Sequence, residues 1–347
     1  MSIEPHRQRN RSSVWDLGRS NLILFAGAAG LAALAAILMA DAVGATSIVH
    51  TGRRLDPEWF AVCFAGQLVA YLGYVLAVRD MARVGDGPEL GLSLTTRTVV
   101  AGFGVFAATH SAGGFAVDFW TLRRAGVNRR EAIARVLGLN ALEYSVLAPA
   151  ALISALVLFV GAGGEGVQDG ITLPWLVVVP GFLLAFWLTS PKRSARLSDP
   201  GEGGRARQAL AHAVAGMTKL RQLAASPRRY GAGLAGVSLY WFGDILCLWA
   251  ALQAFGAHPS VPALIVAYAT GYIATRRSLP GGGAGVVEVL MTFALVWVGV
   301  GFAPALLSVL VYRLFNFWLP IVPALAVLPT VKHLRQAYRE AERQPEE

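Results

Sequence analysis

The sequence predicts an all-α protein, built as a polytopic bundle of transmembrane helices. Apolar residue types make up 55% of the 347 residues and charged types only 15%, against about 25% charged residues in an ordinary soluble domain. The apolar residues are concentrated in long runs, and a helix needs about 20 such residues to cross the hydrocarbon core of a bilayer. Because these runs lack the alternation of a β-barrel, we expect them to be helical.

The chain contains nine apolar runs that are candidate membrane segments. The first is expected to be a span, because it is longer than the apolar core of a signal sequence and no convincing cleavage site follows it. The two cysteines, Cys63 and Cys247, both lie in such runs, so we expect packed free thiols and no disulfide. The runs lie at about residues 22–43, 59–78, 94–117, 136–160, 171–189, 233–256, 261–275, 285–303 and 305–329.

Clusters of basic residues divide the chain and orient it. The net charge is +9, and in a membrane protein such an excess marks the cytoplasmic side and disfavours nucleic acid as a partner. Lys and Arg cluster in the loop 123–135 and at four further places. We expect all five clusters to face the cytoplasm and the protein to lie in the plasma membrane. The sequence therefore predicts a basic tail (1–20), a transmembrane domain (21–330) with a basic loop (190–232), and a charged C-terminal tail (331–347).

One segment does not fit a simple alternation of crossings. A single crossing by residues 94–117 would place the arginine-rich loop 123–135 and the basic loop 190–232 outside, against the charge rule. The stretch His110-Ser111-Ala112-Gly113-Gly114 contains two glycines, which are poor helix formers. It predicts a re-entrant hairpin that enters and leaves on the cytoplasmic side, a backbone tolerated where protein or a water-filled cavity surrounds it.

A second glycine-rich break divides the apolar stretch 261–303. It reads Leu279-Pro280-Gly281-Gly282-Gly283-Ala284-Gly285, and it predicts a second re-entrant hairpin of the same kind. The alternative is two separate spans joined by a glycine-rich loop.

Ionisable residues follow the two breaks at matching distances. Asp118 follows the first break and Glu288 the second, and each acid is followed 25 positions later by another ionisable residue, Glu143 and Arg313. The offset between the two sets is 170 residues. With three crossings in each set, the spacing predicts repeats of inverted topology, a common plan in transporters. The repeats would cover about residues 21–160 and 171–330.

Charged residues inside the bilayer are costly, so they are functional candidates by default. We expect them to form a central polar site, although ion pairs that fix helix packing are the structural alternative. Broken helices expose N–H groups that bind anions such as phosphate, and arginines add charge-assisted bonds; the alternative is that the glycines only permit close helix approach. The predicted substrate-binding residues are Gly281, Gly282, Gly283, Gly285, Glu288, Arg313, Arg276, Arg277, Asp118, Glu143 and Asp244.

Glu288 and Arg313 are predicted to pair on facing antiparallel helices. The expected turn near Ala303–Pro304 starts about 15 residues after the acid and ends about 9 before the arginine, so at 1.5 Å per residue the two side chains are offset by about 9 Å. Long side chains, helix tilt or a broken half-helix would have to close this gap.

Motifs for catalysis or metal binding are absent from the sequence. It contains no HExxH, paired CxxC or GxSxG pattern, and the glycine run lacks the Lys-Ser/Thr ending of a phosphate-binding loop. We therefore predict no catalytic residue, no metal and no cofactor. A helical stretch at about 205–225 in the basic loop is expected either to lie on anionic lipid or to be a solvated linker.

The chain resembles the lysylphosphatidylglycerol synthase transmembrane region family, whose members are flippase-like proteins of bacteria and archaea. The resemblance rests on the glycine run ending at Glu288, on Tyr312-Arg313 and on Trp318-Leu319-Pro320, and it covers about residues 20–330. Weaker likeness is found at Gly113-Gly114, Arg123-Arg124-Ala125-Gly126, Glu143 and Asp244.

This resemblance implies a polytopic fold and transfer of lipid between leaflets. The expected substrate is an anionic phospholipid or a polyprenyl-phosphate-linked lipid. An aminoacyl-transferase domain is not found in the sequence, so a lipid-synthesising enzyme encoded separately is the expected partner. Two other functions remain open: an integral membrane enzyme that modifies a lipid headgroup by glycosyl or phosphoryl transfer, and an accessory subunit of envelope-lipid biosynthesis.

Overall fold

The computed structural model describes residues 19–108, 113–161, 167, 169–188, 205–273, 283–324 and 326–327. These residues are organised as helices with no β-strand among them, which confirms the predicted all-α bundle. In chain order the helices are α1 (Arg19–Val43), α2 (Ala45–Gly52), α3 (Trp59–Arg83), α4 (Leu92–Ala108), α5 (Gly113–Arg124), α6 (Arg129–Phe159), α7 (Asp169–Leu188), α8 (Arg205–Ala225), α9 (Pro227–Ala254), α10 (Val261–Ile273), α11 (Val286–Trp297) and α12 (Phe302–Arg313), and a π-helical turn follows at Leu314–Trp318.

Four helical stretches in the described part of the chain are long and apolar enough to cross a membrane. They are α3, α6, α9 and the stretch Phe302–Ala324, which continues α12 through the π-helical turn. Helices α1 and α2 meet the same criterion only as a pair, and they are bent by 106° relative to each other. The polytopic architecture predicted from the apolar runs is therefore confirmed. Helices α10, α11 and the Gly170–Gly181 part of α7 are shorter apolar helices.

Helices α3 and α9 make the most extensive helix–helix contact among the described residues, and they run antiparallel. Glycines allow the two backbones to touch. A Cβ added at Gly66 would lie 2.7 Å from the carbonyl oxygen of Gly243, and one added at Gly236 would lie 2.5 Å from the carbonyl oxygen of Gly73. In a membrane such small residues let helices gain packing energy through close approach.

The two cysteines lie in this same interface. Cys63 on α3 and Cys247 on α9 are both free and fully buried, and the Cys63 thiol donates a hydrogen bond to the Cys247 carbonyl oxygen at 3.4 Å. The expectation of packed free thiols is confirmed.

Helices α4 and α5 form an antiparallel hairpin. The Thr98 and Thr121 hydroxyl oxygens lie 3.1 Å apart, and Ala101 packs against Val117 in one buried cluster. The apolar run 94–117 is therefore two helices. The first three residues of the predicted break, which include His110, fall between α4 and α5 and lie outside the described residues, and its two glycines, Gly113 and Gly114, begin α5.

Helices α10 and α11 form a second antiparallel hairpin. Gly271 on α10 lies against Met291 on α11, where a Cβ added at the glycine would sit 2.7 Å from the methionine Cβ. Near the other end of the pair, Ala263 and Val298 line the same cavity. At 1.5 Å per residue the 13 residues of α10 and the 12 of α11 extend about 20 and 18 Å.

Helix α8, within the basic loop, packs along α6. Its residues Val214, Leu220 and Leu223 are buried, and a Cβ added at Gly138 of α6 would lie 3.1 Å from the Gly216 carbonyl oxygen. The predicted helix at 205–225 is therefore present, and the interpretation of it as a solvated linker is wrong, because one face of it is packed against the bundle.

Candidate functional site

Glu288 and Arg313 form a buried ion pair. The Arg313 Nε donates to Glu288 Oε1 at 2.9 Å, and the two side chains are 6% and 1% exposed respectively. The other carboxylate oxygen, Oε2, accepts the Gly285 N–H at 2.6 Å. Glu288 therefore caps the N-terminus of α11, where the helix dipole favours negative charge, and the predicted pairing of the two residues is confirmed.

The surroundings of this pair explain its position. The Arg313 guanidinium lies over the Phe317 ring, 4.1 Å from the ring centroid, which adds a cation–π contact. Gly285 has a φ of +85°, a backbone conformation that favours glycine. A Cβ added there would also lie 3.2 Å from the Leu31 carbonyl oxygen, so α1 covers the start of α11 at this point.

Asp244 is the centre of a second polar cluster beside the ion pair. The carboxylate on α9 is fully buried and accepts hydrogen bonds from Tyr312 at 2.9 Å, Gln67 at 2.8 Å and Asn316 at 2.6 Å, and from Tyr268. The donors come from α12, α3, the π-helical turn and α10. Since Tyr312 directly precedes Arg313 on α12, the cluster and the ion pair are adjacent in the fold.

Aromatic side chains extend from this cluster towards α6. The Tyr240 and Tyr272 hydroxyl oxygens lie 2.8 Å apart, and the Trp241 indole donates to the main-chain oxygen of Glu143 at 2.8 Å. Glu143 itself is buried, with 1% exposure. The structure therefore places Glu143, Asp244, Glu288 and Arg313 in the interior, on α6, α9, α11 and α12.

Asp118 lies elsewhere, in the hairpin of α4 and α5. It is buried and lines a small cavity together with Thr98, Thr121 and Arg135. Of the other predicted site residues, Gly283 has a φ of +68° and precedes α11. Four predicted site residues lie outside the described residues: Arg276, Arg277, Gly281 and Gly282.

The sequence prediction missed several residues that complete these clusters. The rule that charged residues inside a bilayer are functional does not identify Gln67, Tyr268 and Asn316, because all three are uncharged. An amide within an apolar run is also a usable signal. Arg135 was expected among the cytoplasmic loop arginines. It is 2% exposed, and its guanidinium donates to the Ala82 and Val84 carbonyl oxygens at 3.1 and 2.8 Å, which ties α6 to the end of α3.

A comparison with known protein families identifies the family of this chain. The model of the lysylphosphatidylglycerol synthase transmembrane region family matches residues 23–324, which is most of the chain. The chain belongs to this family. No curated protein matches it.

Membership in the lysylphosphatidylglycerol synthase transmembrane region family indicates a multi-pass membrane protein linked to lipid handling. The matched region includes the spans, both hairpins, the ion pair and the Asp244 cluster. The suspected resemblance is therefore confirmed as family membership.

Proposed function

We propose that this protein moves an anionic lipid, either a phospholipid or a polyprenyl-phosphate-linked lipid, between the leaflets of the plasma membrane. The observation that carries the proposal is the buried Glu288–Arg313 pair at the start of α11, directly after a glycine-rich segment. Membership in a family linked to lipid handling supports it. The headgroup would pass this site while the acyl or prenyl tail stays in the bilayer.

Glu288 occupies the place that an anionic headgroup would take. Its carboxylate uses both the Gly285 N–H at the helix N-terminus and the Arg313 Nε. A lipid phosphate is recognised by the same two donors, backbone N–H groups at a helix start and a guanidinium. Substrate would therefore compete with Glu288 for these two donors. Arg276 and Arg277, which precede the glycine-rich break in the sequence, are proposed to attract the headgroup.

The proposal includes two re-entrant hairpins, α4–α5 and α10–α11. The second pair supports this most directly, because helices of about 18–20 Å are too short for a hydrocarbon core of about 30 Å. Hairpins that reach only part-way into the bilayer would bring both glycine-rich breaks to its middle, where a polar site for the headgroup is needed.

Inverted repeats are also part of the proposal, and the contact of α3 with α9 supports them. Adding the 170-residue offset to Gly66 gives Gly236, and adding it to Gly73 gives Gly243. The observed contacts are Gly66 with Gly243 and Gly73 with Gly236. Gly66 thus contacts the counterpart of Gly73, and Gly73 contacts the counterpart of Gly66. A two-fold axis that relates the two repeats requires this reciprocal pattern. Since the two helices are antiparallel, that axis lies across them, which is the inverted arrangement.

The topology makes a first testable prediction. A cysteine at Arg129, an exposed position at the start of α6, should react with a membrane-impermeant reagent only after the cells are permeabilised. A cysteine at Glu58, exposed before α3, should react in intact cells and serves as the matched control. The native Cys63 and Cys247 need not be removed, because both are fully buried. Labelling of the Arg129 variant in intact cells would exclude a cytoplasmic re-entrant hairpin.

The proposed function is tested with purified protein in liposomes that contain headgroup-labelled lipids. Anionic labelled lipids should become accessible to an external quencher faster in the presence of protein, and zwitterionic ones should respond less. Recovered lipid is analysed by mass spectrometry in the same samples. Chemically modified lipid without accelerated exchange would favour the headgroup-modifying enzyme, and unchanged lipid without exchange would contradict transport.

A further inference from the structure

Four side-chain hydrogen bonds converge on the Asp244 carboxylate. Gln67 and Asn316 donate amide N–H groups to Oδ1 at 2.8 and 2.6 Å. Tyr268 and Tyr312 donate their hydroxyls to Oδ2, the second at 2.9 Å. Four structural elements thus meet at one carboxylate in the middle of α9.

Among the described residues, no positively charged group belongs to this cluster. All four donors are neutral, and no Lys or Arg in the described ranges contacts Asp244. An ionised carboxylate inside a membrane normally pairs with a cation, because its desolvation is costly. Glu288 is paired in this way with Arg313. Asp244 is fully buried and has no such partner in the part of the chain that the structure describes.

The side chains around Asp244 have the oxygen atoms that a hard cation needs. A half-turn of the terminal amides of Gln67 and Asn316 would exchange their NH₂ groups for carbonyl oxygens. With the two carboxylate oxygens and the two phenol oxygens of Tyr268 and Tyr312, the cluster would then present six oxygens. Carboxylate and carbonyl oxygens suit hard cations.

The single carboxylate points to an ion with a single charge. Calcium sites combine several carboxylates, and zinc sites use Cys and His. Among the described residues no group of three or more His, Cys, Asp or Glu could hold a metal ion. One Asp with neutral oxygens around it matches a monovalent alkali ion in charge.

The backbone near Asn316 supplies an independent indication. This residue lies in the π-helical turn Leu314–Trp318 that follows α12. Such turns are rare, and they occur frequently at functional sites, because the wider turn changes the direction of side chains and alters the backbone hydrogen bonding. Here the turn brings the Asn316 amide onto Asp244.

We propose that Asp244, Gln67, Tyr268, Tyr312 and Asn316 form a binding site for a monovalent alkali cation, sodium or potassium. The ion neutralises Asp244 and holds α10 of the second hairpin to α3, α9 and the end of α12. A role for this ion in driving lipid movement rests on the proposed transport, whereas binding of the ion does not.

The test measures thermal unfolding of the purified full-length protein in detergent at one pH and one ionic strength. Sodium or potassium chloride should raise Tm by several degrees with a saturable dependence, relative to choline chloride. Asp244→Asn should remove this dependence, and Gln67→Leu and Asn316→Leu should each weaken it at least tenfold in apparent affinity. Gln222→Leu, at an exposed amide on α8, should behave as the wild type.

Binding of radioactive sodium or rubidium to the wild type provides a second measurement that needs no variant to fold. Absence of both saturable binding and a cation-specific Tm shift overturns the proposal. So does an equal shift in Asp244→Asn. When the measurement is repeated at a second pH, a shift that follows pH and not the alkali ion also overturns it, because a proton would then fill the site. These results are obtained without lipid, so a failed ion site leaves the lipid-exchange assay to judge transport separately.

Discussion

Replacing Glu288 or Arg313 alone with glutamine is expected to destabilise the protein by about 3–5 kcal/mol, because each change leaves the other charge buried without its partner. The double change should cost clearly less than the sum of the single changes, since it removes both charges at once. All three variants should lose lipid exchange. Unfolding in detergent by heat or denaturant measures the cycle, and exchange in liposomes measures the activity.

An exposed ion pair in the same protein is the control for this cycle. Arg229 Nη2 lies 3.2 Å from Asp86 Oδ1, and the two side chains are 63% and 90% exposed. Their coupling should be below about 1 kcal/mol, as for surface pairs in general. Strict additivity at Glu288 and Arg313 would contradict the contact between them. Full activity of the double variant would assign the pair a structural role and place the substrate elsewhere.

Gly236→Ala is expected to destabilise the bundle by about 3 kcal/mol or more. The added Cβ would lie 2.5 Å from the Gly73 carbonyl oxygen and 3.0 Å from the Ala77 nitrogen. Backbone atoms cannot rotate away as side chains can, so the cost belongs at or beyond the upper end of the about 1–3 kcal/mol typical of overpacking. Thermal unfolding in detergent and monodispersity by size exclusion measure the effect.

Gly231→Ala is the matched control on the same helix, because nothing lies within 4 Å of its added Cβ. It should unfold at nearly the wild-type temperature. If the two variants were equally stable, the close contact between α3 and α9 would be contradicted, and with it the main support for the inverted repeats.

The pairing of Glu288 with Arg313 was predictable, and its geometric difficulty has a simple origin. The apolar run 285–303 predicts a helix that continues to residue 303. With that helix end, the Glu288 and Arg313 side chains would be offset by about 9 Å along the helices. In the structure α11 ends at Trp297 and α12 begins at Phe302. Glu288 is then 9 residues before the end of α11 and Arg313 is 11 after the start of α12, and at 1.5 Å per residue the offset falls to about 3 Å.

Other parts of the site could not be derived from the sequence. Apolar runs and charge clusters predict helices and their order because lipid leaves the backbone few alternatives. The four donors on Asp244 lie up to 177 residues from it in the chain, and no local pattern links them. Arg135 lies in a cluster of arginines that reads as cytoplasmic, yet its burial depends on the carbonyl groups at the end of α3.

The central claim is that lipid headgroups pass the Glu288–Arg313 site. The most direct measurement is the rate at which a headgroup-labelled anionic lipid reaches an external quencher in proteoliposomes, for the wild type and for the folded Glu288→Gln/Arg313→Gln variant at equal protein density. Fast exchange is expected with the wild type, and exchange at the rate of protein-free liposomes is expected with the variant. Equal exchange by the two proteins, or none by a correctly folded wild type, would contradict the claim.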